Sequence, residues 1–182
     1  MKKESSIRYI LRLTLTLLLV TGLVAAALSG VNALTRDRIA RIQAKKTQAA
    51  IAQVLEGQAA PLTLGVNADP VTAVYQSEFG YAVQVGISGF DGTISMMVGI
   101  DLEGKVSGIS IISHTETAGL GAVAGADTAA GHAFRDQFVG ADSPLAVTKD
   151  GGSVDAITGA TITSRAVTQG VNAALAYVKN LG

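Results

Sequence analysis

The sequence predicts an α+β chain: one N-terminal transmembrane helix, then a curved antiparallel sheet with helices packed on it. Three observations carry this. No residue from Leu13 to Thr35 is charged. Between Tyr81 and Ser113, apolar residues alternate with polar ones and short glycine turns interrupt them, as in hairpin-linked strands. From Ser164 to Leu181, Val167, Val171, Ala174, Leu175 and Val178 fall on one face at the helical period.

The apolar run is densest over Leu13–Leu28. At about 1.5 Å per residue it covers the roughly 30 Å hydrocarbon core of a bilayer, where a helix satisfies its own backbone polar groups. Arg8 and Arg12 flank one side, with Arg36, Arg38 and Arg41 on the other. A cleaved signal peptide is the alternative, with small residues near Ala25–Ala33, although the run exceeds the ~7–15 residues of a usual signal core. Lys2, Lys3, Arg8 and Arg12 nearly balance Arg36, Arg38, Arg41, Lys45 and Lys46, so charge alone leaves the sidedness open.

The 14 basic and 14 acidic residues are unevenly distributed. Residues 1–46 carry a net +7 and residues 47–182 a net −7. A basic flank beside an apolar run fits a lipid bilayer, whereas the acidic, aromatic-poor remainder excludes nucleic acid as a partner. Without cysteine the chain forms no disulfide or Cys-ligated iron–sulfur cluster, and His114 and His132 have no zinc-spaced companions, so no metal site is expected.

These features divide the chain into a tail and transmembrane helix (1–35), a juxtamembrane helix and linker (36–70) and a soluble domain (71–182). Arg36–Leu55 reads as a helix stopped at Gly57, and Gln58–Pro70 as a loop. Strands are expected at Val71–Gln76, Tyr81–Ser88, Thr93–Asp101 and Val106–Ser113, the last three separated by turns at Gly89–Gly92 and Leu102–Gly104. A loop with a helical turn is expected over 114–132. Next come a short helix at Ala129–Val139 burying Phe134 and Phe138, a strand at Leu145–Lys149 and the final helix.

Two runs carry chemistry. In Asp155-Ala156-Ile157-Thr158-Gly159-Ala160-Thr161, the last threonine stands just before a helix, whose unpaired N–H groups and partial positive charge suit a phosphate. Gly159 allows close backbone approach, and Thr158, Thr163 and Ser164 add hydroxyls. A structural alternative makes Thr163 or Ser164 a simple N-cap. The second run is His114-Thr115-Glu116-Thr117-Ala118-Gly119-Leu120-Gly121. The structural alternative is a strand-end histidine, a solvated carboxylate and ordinary turn glycines.

The first run, continued by Ile162-Thr163-Ser164, resembles the Asp-x-x-Ser/Thr-Gly-Ala-Thr motif of FMN-binding domains. Those domains occur in the G subunit of the Rnf electron-transport complex and the C subunit of the sodium-pumping NADH:quinone reductase. The second run resembles that family's His-x-Glu-Thr-Pro-Gly-Leu-Gly, with Ala118 in place of proline, and Gly99–Val106 resembles its Gly-Ile-Asp-x-x-Gly-Lys-Val hairpin. The resemblance implies FMN held by a phosphoester on Thr161, installed by a separate flavin transferase. Asp155, Thr158, Gly159, Ala160, Thr163 and Ser164 would surround the attachment, and His114, Glu116, Thr117, Gly119, Leu120 and Gly121 would lie near the ring.

The same resemblance implies a single-pass cell-membrane flavoprotein with its FMN domain outside the cytoplasm. It would relay single electrons within a multisubunit ion-translocating ferredoxin:NAD⁺ oxidoreductase, as a relay and not a complete enzyme. The chain has no nicotinamide fingerprint of its own, and its short length favours the Rnf protein over its quinone reductase counterpart. A flavin-free membrane-tethered scaffold is the rival reading. A hydrolase triad of His114, Asp155 and Thr161 is another, but no nucleophile-elbow pattern supports it.

Overall fold

In a computed structural model, residues 3–62, 69–142 and 144–181 are described. Lys2 and residues 63–68 of the expected loop lie outside them. The chain separates into two compact units, Met1–Lys45 and Lys46–Gly182.

Helix α1 spans Lys3–Val54. It is the one helix among the described residues long and apolar enough to cross a membrane. Leu11, Leu15, Leu17, Leu18, Leu19 and Leu23 stand exposed along it, as lipid-facing side chains would. Thr14, Thr16, Thr21 and Thr35 each donate their hydroxyl to the carbonyl four residues earlier, at 2.8–2.9 Å. Polar groups in and beside the apolar stretch are thereby satisfied within the helix.

The second unit is an open antiparallel sheet in chain order: β1 (Ala60–Pro61), β2 (Val71–Ser77), β3 (Gly80–Ser88), β4 (Thr93–Asp101) and β5 (Val106–Ser113). Short turns from β2 onward bring each strand back beside the one just made, which is why the order follows the sequence. Register shifts at Val71/Ala73, Ser95/Met96 and Gly99/Ile100 bend the sheet. Two expectations are corrected. The loop before β2 contains β1, paired through Ala60 and Pro61 with Gln76 and Tyr75. Leu145–Lys149 forms no strand: it holds an isolated bridge between Val147 and Val154 and a 3₁₀ turn, Thr148–Asp150, closed by Gly151 in the left-handed region. So short an apolar run makes no strand without a sheet edge to pair along.

Both faces of the sheet are covered. On one, Val83, Val85, Ile94, Met96, Val98 and Ile100 pack against Ala166, Val167, Val171 and Ala174 of α3 (Thr161–Lys179). Phe134 and Phe138, from α2 (Ala129–Asp136) and just beyond it, join this core edge-to-face at 5.4 Å. On the other face, Ala82, Met97 and Ile112 pack against Ala50, Val54 and Leu55, at and just past the end of α1. Met96 and Met97, adjacent in sequence and pointing opposite ways, are therefore both fully buried.

The α1 end is seated by polar contacts as well. The Ser107 hydroxyl donates to the Val54 carbonyl, one of the orphan acceptors of a helix C-terminus, and the Ser110 hydroxyl lies 2.6 Å from Gln53 Oε1. Gly99 lies directly beneath Val54, where a Cβ would strike that carbonyl and the Ser107 hydroxyl. We therefore expect Gly99→Ala to lower stability by about 1–3 kcal/mol, read as a reduced urea midpoint of the detergent-solubilised chain. An unchanged midpoint would contradict this seating.

Candidate functional site

Thr161 is the first residue of α3, and Ala160 occupies the N-cap position. Among the described residues no side chain caps this helix and its first turn holds no acidic residue, so its leading N–H groups and dipole are uncompensated. The structural alternative, with Thr163 or Ser164 as a simple N-cap, is not found. Both lie inside the helix with their hydroxyls engaged elsewhere: Thr163 donates to Glu116 Oε2, while Ser164 accepts from the Ile157 N–H at 3.0 Å and donates to the Ala160 carbonyl at 2.9 Å. Gly159, at φ +76°, turns the chain into the helix in a conformation that favours glycine.

Glu116 organises the opposite wall. It is buried, with 7% exposure, and Oε1 accepts the backbone N–H groups of Phe90 at 2.9 Å and Asp91 at 3.1 Å. With Oε2 taken by Thr163, one carboxylate joins the β3–β4 turn, the segment after β5 and the start of α3. Thr115 reinforces the turn by donating to the Asp91 carbonyl at 2.5 Å. Gly121 is small because a Cβ there would meet both Thr163 and Glu116. Gly119, at φ +75°, closes the tight loop in which the Thr117 carbonyl accepts from Leu120 and Ala122.

The two sequence motifs therefore meet. Gly159, Ala160, Thr161 and Thr163 from one, and Glu116, Thr117, Leu120 and Gly121 from the other, line a single cavity of about 280 Å³. Phe90 and Ile162 complete it. Three large apolar side chains at this cavity are much exposed: Phe90 at 66%, Ile162 at 50% and Leu120 at 43%. Exposed apolar side chains beside an uncapped helix start suit a ligand with an apolar part and an anionic group.

Other expected site residues lie elsewhere. Asp155, Thr158 and Gly119 line a neighbouring groove with Phe134 and Gln137. The Asp155 backbone is held there by Gln137, which accepts its N–H at 2.6 Å and donates to its carbonyl at 3.2 Å. Ser164 is wholly buried behind the helix start. The His114 ring packs on Gly125 and contributes nothing to the cavity wall, and its buried Nδ1 has no hydrogen-bond partner among the described residues.

Two residues at the site escape the sequence reading. Phe90 has a visible signal, an aromatic at a Gly-Phe-Asp-Gly turn tip. Lys149 has none, yet its Nζ donates to Thr161 Oγ1 at 3.0 Å. Next to it, Asp150 receives a bidentate pair from Arg165, Nε and Nη2 each at 2.6 Å. The Arg165 hydrogen bond holds the Asp150 carboxyl below its ordinary value, and the same contact raises Arg165.

Comparison with known proteins shows the family. Residues 89–176 match the FMN-binding domain family, and residues 1–54 match the RnfG N-terminal region. The G subunit of an ion-translocating oxidoreductase complex from Methanosarcina acetivorans is 32% identical over 190 residues, covering 96% of this chain and 97% of that protein. The protein of the same name from Pseudomonas aeruginosa is 34% identical, covering 96% and 89%. The G subunit of a Na(+)-translocating ferredoxin:NAD(+) oxidoreductase complex from Acetobacterium woodii is 43% identical over 110 residues, 56% of this chain and 50% of that protein.

Glu116→Ala strands two N–H groups and a hydroxyl, so we expect a loss of about 2–4 kcal/mol in unfolding free energy. In a double-mutant cycle, Glu116→Gln with Thr163→Val should depart from additivity by more than about 0.5 kcal/mol. The Asp150–Arg165 pair acts on pH dependence. With the folded carboxyl depressed, its stabilisation is present above the ordinary value of 3.8 and is lost as pH falls through the folded value. Acid unfolding curves of Asp150→Asn should lack this contribution.

Proposed function

The chain belongs to the G-subunit family of Rnf-type ion-translocating oxidoreductase complexes, and on that basis we propose that it is a membrane-anchored electron relay carrying FMN esterified to Thr161. The observation that carries the reading is the convergence of both motifs on one cavity whose lining includes Thr161. FMN bound there supplies chemistry that accepts and releases electrons singly.

The protein's own residues account for the rest. Thr161 presents its hydroxyl at an uncapped helix start, where a phosphate group is electrostatically favoured. Phe90, Leu120 and Ile162 form an apolar surround, and Glu116 holds the Phe90 turn against the helix. Glu116 accordingly positions the wall; its oxygens are already occupied by Phe90, Asp91 and Thr163. Thr161 Oγ1 would hold the FMN phosphate as its ester, with a flavin transferase supplying FMN from FAD and AMP and the hydroxyl proton released. Asp155, which lines the neighbouring groove, would serve that transferase or the geometry of its own loop.

We assign residues 1–35 to the tail and transmembrane helix, 36–70 to the juxtamembrane helix and linker, and 71–182 to the FMN domain on the extracytoplasmic side. The partners are the other subunits of an Rnf-type complex. The Acetobacterium relative, named for ferredoxin:NAD(+) oxidoreduction, supports that overall reaction over a quinone-linked one.

Co-expressed with the flavin transferase, the chain should give an ultraviolet-fluorescent band on a denaturing gel, abolished by Thr161→Ala. A dark wild-type band favours a flavin-free scaffold. Protease treatment of spheroplasts should remove the band, whereas protection would reverse the assigned sidedness.

A further inference from the structure

Among the described residues, Lys149 is the one cation placed directly on the attachment oxygen, and its surroundings are unusual. It sits where α3 exposes its positive end, with Nζ 3.0 Å from Thr161 Oγ1. A lysine is unfavourable at a helix N-terminus, because its charge and the dipole repel. The first turn of α3 has no acidic residue and no side-chain cap to offset this, and no carboxylate among the described residues forms an ion pair with Lys149.

The adjoining residues show how the lysine is held there. Asp150 is bound bidentately by Arg165, one helical turn into α3, so the Thr148–Asp150 turn is fixed against the helix start. Gly152 lets that turn close, since a Cβ would run into the Ala146 backbone. The clamp neutralises Arg165 with Asp150 and leaves Lys149 uncompensated beside Thr161. An anion at that point would relieve the repulsion by pairing with both the ammonium and the helix N–H groups.

We infer that Lys149 is the phosphate-positioning residue of this site, clamped by Asp150–Arg165 so that its ammonium holds the flavin phosphate against Thr161. This deepens the reading of Thr161 as the attachment point and rests on it. Lys149 acts through the phosphate alone and has no part in recognising the ring.

The test uses the full-length chain in detergent, in a Thr161→Ala background that cannot form the ester. FMN and riboflavin, which differ only in the phosphate, are titrated by quenching of flavin fluorescence. Losing one charge-assisted contact should weaken FMN binding about tenfold in Lys149→Gln while riboflavin binding stays unchanged, and Lys149→Arg should restore most of the FMN affinity. Equal losses for both flavins would show a merely structural role, and no loss for either would show no role; each overturns the inference. In parallel, the Thr161-intact Lys149→Gln chain is labelled with limiting flavin transferase. Labelling of wild type at Thr161, together with unchanged FMN binding in Lys149→Gln, sinks this inference alone. Failure of wild type to label sinks the ester reading, whatever Lys149 does.

Discussion

The site depends on one buried carboxylate. Glu116 comes after the last strand, yet its two oxygens bind the tip of an earlier hairpin and the first turn of the final helix. Three segments separated by dozens of residues are thereby held as one wall. A buried carboxylate is costly to desolvate, and it is tolerated here because two N–H groups and a hydroxyl meet it. Small residues at Gly89 and Gly121 are the steric counterpart, because a Cβ at either would displace the carboxylate.

Around that latch the cavity combines two chemistries. Its lining holds the exposed apolar side chains Phe90, Leu120 and Ile162 together with an uncapped helix start at Thr161, whose hydroxyl Lys149 contacts from outside the lining. Helices are usually relieved at their N-termini by a Ser, Thr, Asp or Asn cap. Here the hydroxyls that could have capped, Thr163 and Ser164, are turned inward to secure the helix to Glu116 and to the Ile157–Ala160 turn. The donors left over at the helix start are available to a ligand.

The sheet that carries this site is buried on both sides, unlike a simple meander with one wet face. The end of α1 lies on the second face, seated over Gly99 and bonded by Ser107 and Gln53–Ser110. Five strands pair in sequential order, and the Phe90 turn joins β3 to β4, tied to Glu116 and Thr115 by hydrogen bonds.

Local pattern alone determined much of this protein. The apolar run of α1, the three hairpin-linked strands β3 to β5 and the apolar face of α3 were legible because each arises from a short-range period and nearby turn residues. The two motifs stood out through their resemblance to the FMN-binding family, because residue type and spacing alone also fit a simple capped helix start. Tertiary structure alone decided the rest. It drew Val147 into a bridge with Val154 and not a strand, placed Asp155 and His114 outside the cavity, and made Glu116 a latch. It also brought Lys149 onto Thr161 through an ion pair between Asp150 and Arg165. Such contacts join residues far apart in the chain, and no sequence period encodes which distant side chain meets a given hydroxyl.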